Sequence, residues 1–277
     1  MSSPYPFVDL ALAHRLEIAE GRANATFVDA RARLDPAVGA TWTTIGGALA
    51  MFDGVGSPLT QSFGLGVAGP AGPAELEAME SFFFDRGADV NHEVSPLAGV
   101  ALFAALPGRG YVPVELSSVL FRPLPADRPL ADTPDSHVRV RQIGMDEVAL
   151  YGDLSARGWS ESPEVQAFID GMARVSLARE DGPCFVAELD GSPVATGALC
   201  LWQGVALLAG ASTVPEGRRH GAQLALLDAR LRAAAAAGCD MAMMCTLPGS
   251  ASQRNAERHG FQVAYTRTKW ARPSGQQ

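Results

Sequence analysis

The sequence predicts an α/β fold in two similar halves, and three observations lead to this prediction. Stretches with apolar residues at helical spacing alternate with short apolar runs that are typical of strands. A segment with four prolines divides the chain near residue 123, and several residue pairs recur 150 positions apart. With 277 residues, of which 47% are hydrophobic and 19% charged, the chain is long and apolar enough for two folded domains.

The first half opens with a predicted amphipathic helix over residues 7–33, because this stretch holds no proline and Asp35-Pro36 follows it as a stop signal. Two strand-like runs come next, over 41–45 and 48–52. Pro73 and the acidic residues after it are typical of the first turn of a second helix. The half continues with a strand near Val90, a short helix over 97–105 and a long strand over 112–121.

The proline-rich segment predicts a semi-rigid linker. We therefore predict a first domain over residues 1–123, a linker over 124–136 and a second domain over 137–277. The elements predicted for the second domain follow one another as a strand over 138–142, helices over 145–157 and 163–177, strands over 184–189, 194–202 and 205–213, a long helix over 218–237, a strand over 241–245, a short helix over 250–259 and a last strand over 261–270.

The two halves share residues at a fixed spacing. Gly110-Tyr111 and Gly260-Phe261 lie 150 positions apart, and the same spacing relates Arg122-Pro123 to Arg272-Pro273. Helix, strand, helix and strand recur in the same order around these pairs. A duplicated domain is the favoured explanation, and chance identity in a chain rich in Ala and Gly is the alternative.

The composition argues against several classes of function. Acidic residues outnumber basic ones by 30 to 22, which gives a formal net charge of -8 and argues against nucleic acid as a partner. The sequence has no run of 18 apolar residues and no signal-like N-terminus, so we expect no membrane and a cytoplasmic location. The four cysteines form no CxxC pair and have no histidine at metal-ligand spacing, so we expect buried thiols and no metal.

The most informative segment joins a strand to the long helix of the second half. Unpaired N–H groups, the positive end of the helix dipole and arginines meet at this turn, which is typical of an anion site. Arg218 and Arg219 supply charge, and Gly221 allows close approach of the backbone because it has no Cβ. Arg-x-x-Gly alone is a weak motif, and solvated arginines at a helix start are the alternative.

This segment resembles the acetyl-CoA loop of the GNAT acyltransferase superfamily, which has the form Arg/Gln-x-x-Gly-x-Gly/Ala between a strand and a long helix. Six residues occupy the loop here, namely Arg218, Arg219, His220, Gly221, Ala222 and Gln223. Gln223 departs from the small residue of the pattern. The resemblance extends from about Val138 to the last strand, and the two linked halves resemble the tandem GNAT arrangement. It implies mixed, mostly antiparallel sheets flanked by helices, and a degenerate first half whose loop near Val67 has no arginine and binds no CoA.

The resemblance also implies further contacts to an acyl-CoA co-substrate, expected to be acetyl-CoA. Three residues would pair through their backbone with the pantetheine arm, namely Ser212, Thr213 and Val214. An N–H near Ala211 would face the thioester oxygen. Ser252 and Asn255 on the last short helix would hydrogen-bond the cofactor, with a helix cap as the alternative for Asn255. His220 would either lie beside the pyrophosphate or point outward.

The usual acid and base of this superfamily are missing. Ala209 stands where a strand glutamate is common, and Ala256 stands where a tyrosine protonates the thiolate. The substitutes are Tyr265, as an acid on the last strand, and Glu161, in the turn between two helices near the expected acceptor site. A core aromatic and a solvated acid at a helix start are the respective alternatives. Trp159 in the same turn either lines the acceptor pocket or anchors the helix pair.

The predicted function is transfer of an acyl group from acyl-CoA to an amine of a small molecule or peptide, by direct attack in a ternary complex. The oligomeric state is left open. A non-catalytic acyl-CoA-binding or regulatory module is the alternative from another class, because the usual glutamate and tyrosine are absent. An anion site for a nucleotide is a weaker third hypothesis.

Overall fold

The computed structural model describes residues 5–124, 137–159 and 163–275, and it divides into two compact units. The first unit holds Met1–Arg122 and Met243–Gln277, and the second holds Pro123–Ala242. The segment 243–277, which the prediction assigns to the second domain, thus belongs to the first unit. Apart from Leu124, the predicted linker lies outside the described residues. The domains 1–123 and 137–277 stay a prediction.

The helices and strands alternate much as the sequence predicts. The helices are α1 (Leu10–Leu34), α2 (Pro73–Phe84), α3 (Val100–Gly108), α4 (Val148–Gly158), α5 (Pro163–Leu177), α6 (Ala222–Ala236) and α7 (Ala251–Arg258). The strands are β1 (Thr41–Ile45), β2 (Ala48–Phe52), β3 (Gln61–Phe63), β4 (Val90–Val94), β5 (Val112–Pro123), β6 (Val138–Ile143), β7 (Cys184–Leu189), β8 (Ser192–Trp202), β9 (Val205–Thr213), β10 (Met241–Thr246) and β11 (Gln262–Arg272). The short β3 is the strand that the sequence did not predict.

In the first unit, the strands run in the order β1-β2-β3-β4-β11-β5. All neighbours are antiparallel except β3 and β4. Leu49 and Met51 pack in a buried cluster with residues of α1, whereas Ala48 and Ala50 pack in another with residues of α2. Because successive residues of a strand point to opposite faces, α1 and α2 cover the two faces of this sheet.

The repeat of 150 residues is visible in the pairing of β5 with β11. Ser117 lies opposite Arg267, its equivalent in the second half of the sequence. Leu116 lies opposite Thr268, and Ser118 lies opposite Thr266. Equivalent residues of two antiparallel strands are paired in this way when a local two-fold axis passes between the strands. The pairing supports duplication over chance identity.

The ends of α3 and α7 repeat as well. Gly110 and Gly260 both have left-handed φ angles, of 86° and 79°. The N–H groups of the next residues, Tyr111 and Phe261, each donate to a helix carbonyl five residues back, over 3.2 and 3.0 Å. This bonding pattern ends a helix when glycine can adopt a positive φ at no steric cost. The glycine-aromatic pairs noted in the sequence are therefore equivalent helix stops.

In the second unit, the strands run in the order β9-β8-β7-β6, and all neighbours are antiparallel. The Ser155 hydroxyl on α4 lies 3.1 Å from that of Thr196 on β8. A Cβ on the next residue, Gly197, would lie 3.1 Å from the guanidinium carbon of Arg230 on α6. Since Thr196 and Gly197 point to opposite faces, α4 and α6 cover opposite faces of the sheet.

His92 links two other buried polar side chains of the first unit. Its Nδ1 lies 2.7 Å from the Ser62 hydroxyl, and its Nε2 lies 3.0 Å from the Tyr111 hydroxyl. Burial lowers the pKa of His92 to about 4, against a smaller upward effect of Glu80. Ser62, His92 and Tyr111 are each no more than 2% exposed. These hydrogen-bonded side chains therefore stabilise the core, and no substrate can reach them.

The depressed pKa predicts that the first unit loses stability in mild acid. Between pH 6.5 and about 4, the unfolded chain binds a proton on His92 that the folded chain does not bind, so the unfolding free energy falls as the pH falls. From pH 7.5 to pH 5, His92 contributes a loss of about 2 kcal/mol. Urea unfolding of the wild type and His92→Gln at both pH values measures it. An equal pH dependence in the two proteins would contradict the assignment.

Arg267 is the centre of a buried ionic cluster in the first unit. Its guanidinium contacts both carboxylate oxygens of Glu20 at 2.7 and 2.8 Å, Glu17 at 3.3 Å and Glu93 at 2.9 Å. Lys269 also pairs with Glu93, at 3.2 Å. We call these five residues the Arg267 cluster. Because the glutamates lie on α1 and β4 and the cations on β11, the cluster ties the C-terminal strand to the rest of the unit.

The described part of the chain contains no helix long and apolar enough to cross a membrane.

Candidate functional site

The strand β9 carries a bulge near its end. Ala209 lies opposite Ala198, and Ser212 lies opposite Thr196, so Gly210 and Ala211 together face one residue of β8. Gly210 has a φ of 59°, in the left-handed region that glycine adopts readily. A bulge re-aims the backbone groups around it and is common beside active sites. The bulge includes Ala211, near which the resemblance implies an N–H directed at a thioester oxygen.

A tight turn follows β9 and ends where α6 begins. Arg219 and Gly221 both have positive φ angles, of 67° and 86°. Gly221 is the N-cap of α6, and the helix begins at Ala222 rather than at the predicted residue 218. The side chains of Arg219 and His220 are exposed. Because the first N–H groups of a helix have no partner within it, the turn presents backbone donors and a cationic side chain on one surface.

Arg218 and Gln223 fix this turn to the end of β9. The Arg218 guanidinium donates to the carbonyl oxygens of Thr213 and of Gly158, at 3.4 Å each. The Gln223 amide donates to the Thr213 hydroxyl over 2.6 Å. Gln223, which departs from the small residue of the family pattern, thus folds back onto β9. The side chains of Arg218 and Gln223 thus connect the turn to the end of β9 by hydrogen bonds.

The three residues predicted to bind pantetheine differ in whether their backbone N–H and carbonyl groups already have hydrogen-bond partners. The Val214 N–H donates to the Val194 carbonyl over 3.0 Å, and its carbonyl accepts from the Gly217 N–H over 2.9 Å. Both backbone groups of Val214 therefore already have a partner, on β8 for the N–H and in the turn for the carbonyl, and its contact to pantetheine stays a prediction. Ser212 and Thr213 pair with β8 on one side, and their contact to pantetheine stays a prediction.

The end of α4 packs closely on this part of β9. A Cβ on Gly158 would lie 2.6 Å from the Cβ of Ser212, so the contact requires glycine. Trp159 follows as the C-cap of α4, and its side chain is 44% exposed. Whether Trp159 lines an acceptor pocket or anchors the helix pair stays a prediction. Glu161, the predicted residue of the acceptor site, lies outside the described residues.

Tyr265 belongs to the first unit, where it lies on β11 and donates to a carboxylate oxygen of Glu17 over 2.8 Å. Burial, and then the charge of Glu17, raise the pKa of Tyr265 well above its usual value. Its hydroxyl is buried and occupied, which suits the core aromatic that the sequence left open as an alternative. Its role as the acid that protonates the thiolate stays a prediction.

Ser252 and Asn255 lie on α7, also in the first unit, and both are exposed. Asn255 does not cap this helix, because Ser250 is the N-cap and accepts from the Gln253 N–H over 3.1 Å. The Asn255 carbonyl instead lies 2.6 Å from Nδ1 of His259. Contact of Ser252 and Asn255 with a cofactor stays a prediction.

The equivalent loop of the first unit is filled by its own chain. A Cβ on Gly47, in the hairpin between β1 and β2, would lie 2.2 Å from the Ala68 carbonyl oxygen. A Cβ on Gly69 would lie 2.4 Å from the Gly46 carbonyl oxygen. The Glu75 carboxylate caps α2 by accepting from the Gly72 N–H over 2.9 Å. A hairpin and a carboxylate thus occupy the place of an anion, which supports the prediction that this half binds no CoA.

The cysteines are free thiols in the structure. Burial raises the pKa of Cys184, of Cys200 (to about 11) and of Cys245. Thiols that stay protonated at neutral pH are poor nucleophiles, so these three are unsuited to covalent catalysis. Within the described ranges, no group of His, Cys, Asp and Glu side chains could hold a metal ion.

Sequence reasoning missed two residues of this site, Gly210 and Arg230. Gly210 stands inside a predicted strand, where an isolated glycine is a general sign of a bulge. Arg230 stands in the middle of α6 and looks in sequence like any solvated helix arginine, yet it is 2% exposed. The feature of the sequence that allows this burial is Gly197 on β8, whose missing side chain leaves room for the guanidinium.

Comparison with known proteins finds similarity over the part of the chain that holds this site. Residues 138–252 match the model of the GNAT acetyltransferase domain. A GCN5-related N-acetyltransferase from Kribbella flavida is similar at 21% identity, with 91% of this chain and 96% of that chain covered and a TM-score of 0.64. A tandem GNAT protein from the clavulanic acid biosynthesis pathway is similar at 15% identity, covering 84% of this chain and 80% of that one, with a TM-score of 0.55. A GCN5-related N-acetyltransferase from Sphaerobacter thermophilus shares 17% identity over 85% and 76% of the two chains, with a TM-score of 0.54. These structures share the fold, as the resemblance predicted. No curated protein matches the sequence.

Proposed function

We propose, because residues 138–252 match the model of the GNAT acetyltransferase domain, that this chain is an acyl-CoA-dependent N-acyltransferase with acetyl-CoA as donor. The observation that carries the proposal is the turn at the start of α6. It combines a left-handed glycine, helix N–H groups and an exposed arginine directly after a bulged strand. The acceptor we propose is the amine of a small molecule or peptide.

The pyrophosphate of CoA is proposed to lie at the N-terminus of α6. Backbone donors and the helix dipole stabilise an anion there, and Arg219 adds a flexible cation. Arg218 has a different part, because its guanidinium contacts the Thr213 and Gly158 carbonyls and so fixes the end of β9 to the turn. Gly221 keeps the surface clear, since no atom lies within 4 Å of where its Cβ would be.

The reaction is direct transfer. The lone pair of a neutral amine attacks the thioester carbon, and the carbonyl electron pair moves to the oxygen. The tetrahedral intermediate then collapses, the C–S bond breaks with its electrons on sulfur, the nitrogen loses a proton and the thiolate gains one. Amide and CoA thiol are the products. The backbone at the Gly210–Ala211 bulge is proposed to donate to the transient oxyanion.

Proton transfer in this site is proposed to rely on solvent or on the predicted substitutes Tyr265 and Glu161. Ala209 and Ala256 stand at the positions of the common glutamate and tyrosine, and neither side chain can carry a proton. Positioning of the amine against the thioester supplies a large part of the acceleration in such transfers. We therefore expect a rate that rises with pH as the acceptor amine loses its proton, rather than a bell-shaped profile.

A cytoplasmic location is also part of the proposal. Free cysteines are typical of proteins kept in a reducing compartment, which fits the four free thiols of this chain.

The test is calorimetric titration of acetyl-CoA into the purified protein, followed by thiol release with a panel of amines. Wild type is expected to bind and to release thiol. Arg218→Ala is expected to bind about tenfold more weakly, because the end of β9 loses its tie to the turn. Arg139→Ala, which removes an exposed arginine from β6 of the same unit, is the control and is expected to behave as wild type.

The outcomes separate the proposed function from its rivals. Binding without thiol release across the panel would favour a non-catalytic acyl-CoA-binding module. Competition by ATP with an affinity equal to that of CoA would favour a nucleotide site. Absence of acetyl-CoA binding would contradict the proposal itself.

A further inference from the structure

Arg230 is a buried cation without an acidic partner. Among the described residues, it pairs with no carboxylate and its hydrogen bonds go to backbone carbonyls: Nε donates to Leu226 over 3.1 Å, and Nη1 donates to Ala198 and to Ala209 over 3.3 Å each. Tyr151 and Cys200 are the ionisable side chains that interact with its charge. The residue is 2% exposed, and burial lowers its pKa to about 10. Arg179, a nearly buried arginine of the same unit, pairs instead with the carboxylate of Asp181.

Burying a charge without a counter-ion destabilises the folded state. Taking an ion out of water costs several kcal/mol unless a counter-ion repays the loss. An apolar side chain of similar length would fill the same space without that penalty. Stability alone therefore gives no reason for an arginine at this position, and the groups that it contacts become informative.

Both carbonyls that share the Nη1 of Arg230 lie at the bulge of β9. Ala198 and Ala209 form the last regular pair before Gly210 and Ala211. The guanidinium reaches this place because Gly197 has no side chain, since a Cβ there would lie 3.1 Å from its central carbon and 3.2 Å from Nη1. The Ala209 carbonyl belongs to the same peptide group as the N–H of Gly210.

We propose that Arg230 is a positioning residue that holds the bulge of β9 and polarises the peptide group between Ala209 and Gly210, so that the backbone of the bulge donates more strongly to the acyl oxygen. This inference rests on the proposed function. Hydrogen bonds in series strengthen one another in a medium of low dielectric, so a cation on the carbonyl makes the N–H of the same peptide a better donor. The charge also favours the oxyanion directly, because little water screens it.

The test compares Arg230→Met and Arg230→Lys with the control Arg232→Met. Arg232 lies on the same helix, is partly exposed and pairs with Asp228 at 2.8 Å. The main readout is the infrared carbonyl stretch of bound acetyl-CoA labelled with ¹³C at the carbonyl, with affinity measured by calorimetry on the same samples. This readout does not depend on knowing the acceptor.

Wild type and Arg232→Met are expected to shift the carbonyl stretch to lower frequency on binding. Arg230→Met should lose most of that shift while its affinity stays within about threefold of wild type. Arg230→Lys should keep part of the shift, because the charge remains and the forked geometry is lost. With an active amine, the turnover number of Arg230→Met should fall about 100-fold with little change in KM for acetyl-CoA.

Two outcomes would overturn the inference. One is a carbonyl shift in Arg230→Met equal to that of the wild type, which would show that Arg230 does not polarise the acyl carbonyl. The other is a loss of affinity as large as the loss of turnover, with a lowered melting temperature, which would make Arg230 a structural residue only. Failure of the wild type to bind acetyl-CoA would overturn the proposed function, and this inference with it.

Discussion

Gly221→Val is expected to abolish acetyl-CoA binding. Gly221 has a φ of 86°, a conformation that a β-branched residue adopts only under strain, and its missing side chain leaves the anion surface of the turn open. Valine would either rotate the backbone donors of α6 away from the pyrophosphate or occupy its place. We expect the dissociation constant to rise about 100-fold or more, which corresponds to about 2.7 kcal/mol.

Gly238→Val is a matched control for this change. Gly238 follows the other end of α6, also has a positive φ, of 79°, and also has no atom within 4 Å of where its Cβ would lie. Both variants therefore carry a similar backbone strain of about 1–2 kcal/mol, and both should show a similar drop in melting temperature. Calorimetry should then find binding in Gly238→Val and none in Gly221→Val. Equal affinities of the two variants for acetyl-CoA would show that the turn is not part of the binding site.

The turn at Gly221 is also the part of the site that the sequence predicts best. An Arg-x-x-Gly pattern between a strand and a long helix is local, so it can be recognised from neighbouring residues alone. The start of the helix is less well predicted, because Arg218 and Arg219 are good helix formers and nothing in the spacing of apolar residues excludes them. The structure begins α6 at Ala222, since Arg219 and Gly221 adopt positive φ angles.

The bulge of β9 and the burial of Arg230 depend on contacts that no local pattern encodes. The bulge exists because β8 and β9 pair out of step by one residue between Ala198 and Thr196. Register is a property of two strands together, so the sequence of either strand alone cannot specify it. Arg230 is buried because glycine stands at position 197, 33 positions earlier in the chain.

The fold was predicted well where periodicity is strong and poorly where pairing partners are distant. Most helices and strands of the structure match predicted ones, because each has its own apolar spacing or glycine stop. The three-residue β3 is too short to show a period. The place of β11 between β4 and β5 was not foreseen, since the spacing of 150 that relates two strands does not tell which unit a strand completes.

Arg267→Met is expected to have the largest effect on stability. It would leave the carboxylates of the Arg267 cluster buried without their main counter-ion, and breaking a buried pair in this way costs about 3–5 kcal/mol. Arg141→Met is the comparison, because Arg141 pairs with Glu147 over 2.6 and 2.7 Å, yet its side chain is 39% exposed, against 3% for Arg267. The surface change should cost about 1 kcal/mol or less.

The pH dependence identifies the cause of that loss. Burial, with smaller contributions from the charges of Glu20 and Glu93, raises the pKa of Glu17 to about 7 despite Arg267. At Glu20 burial also raises the pKa, but the charge and hydrogen bonds of Arg267, with help from Cys245 and Lys269, lower it below its usual value. Without Arg267, burial is opposed only by the smaller effects of Cys245 and Lys269, so the pKa of Glu20 should rise above its unfolded value. A raised carboxyl pKa means stability that is present in acid and lost as the pH rises. Urea unfolding should therefore show a smaller deficit for Arg267→Met at pH 5 than at pH 8, and adding Glu20→Gln to it should recover part of the loss at pH 8. A deficit that is independent of pH would mean that lost packing, and not the unpaired carboxylates, destabilises the variant.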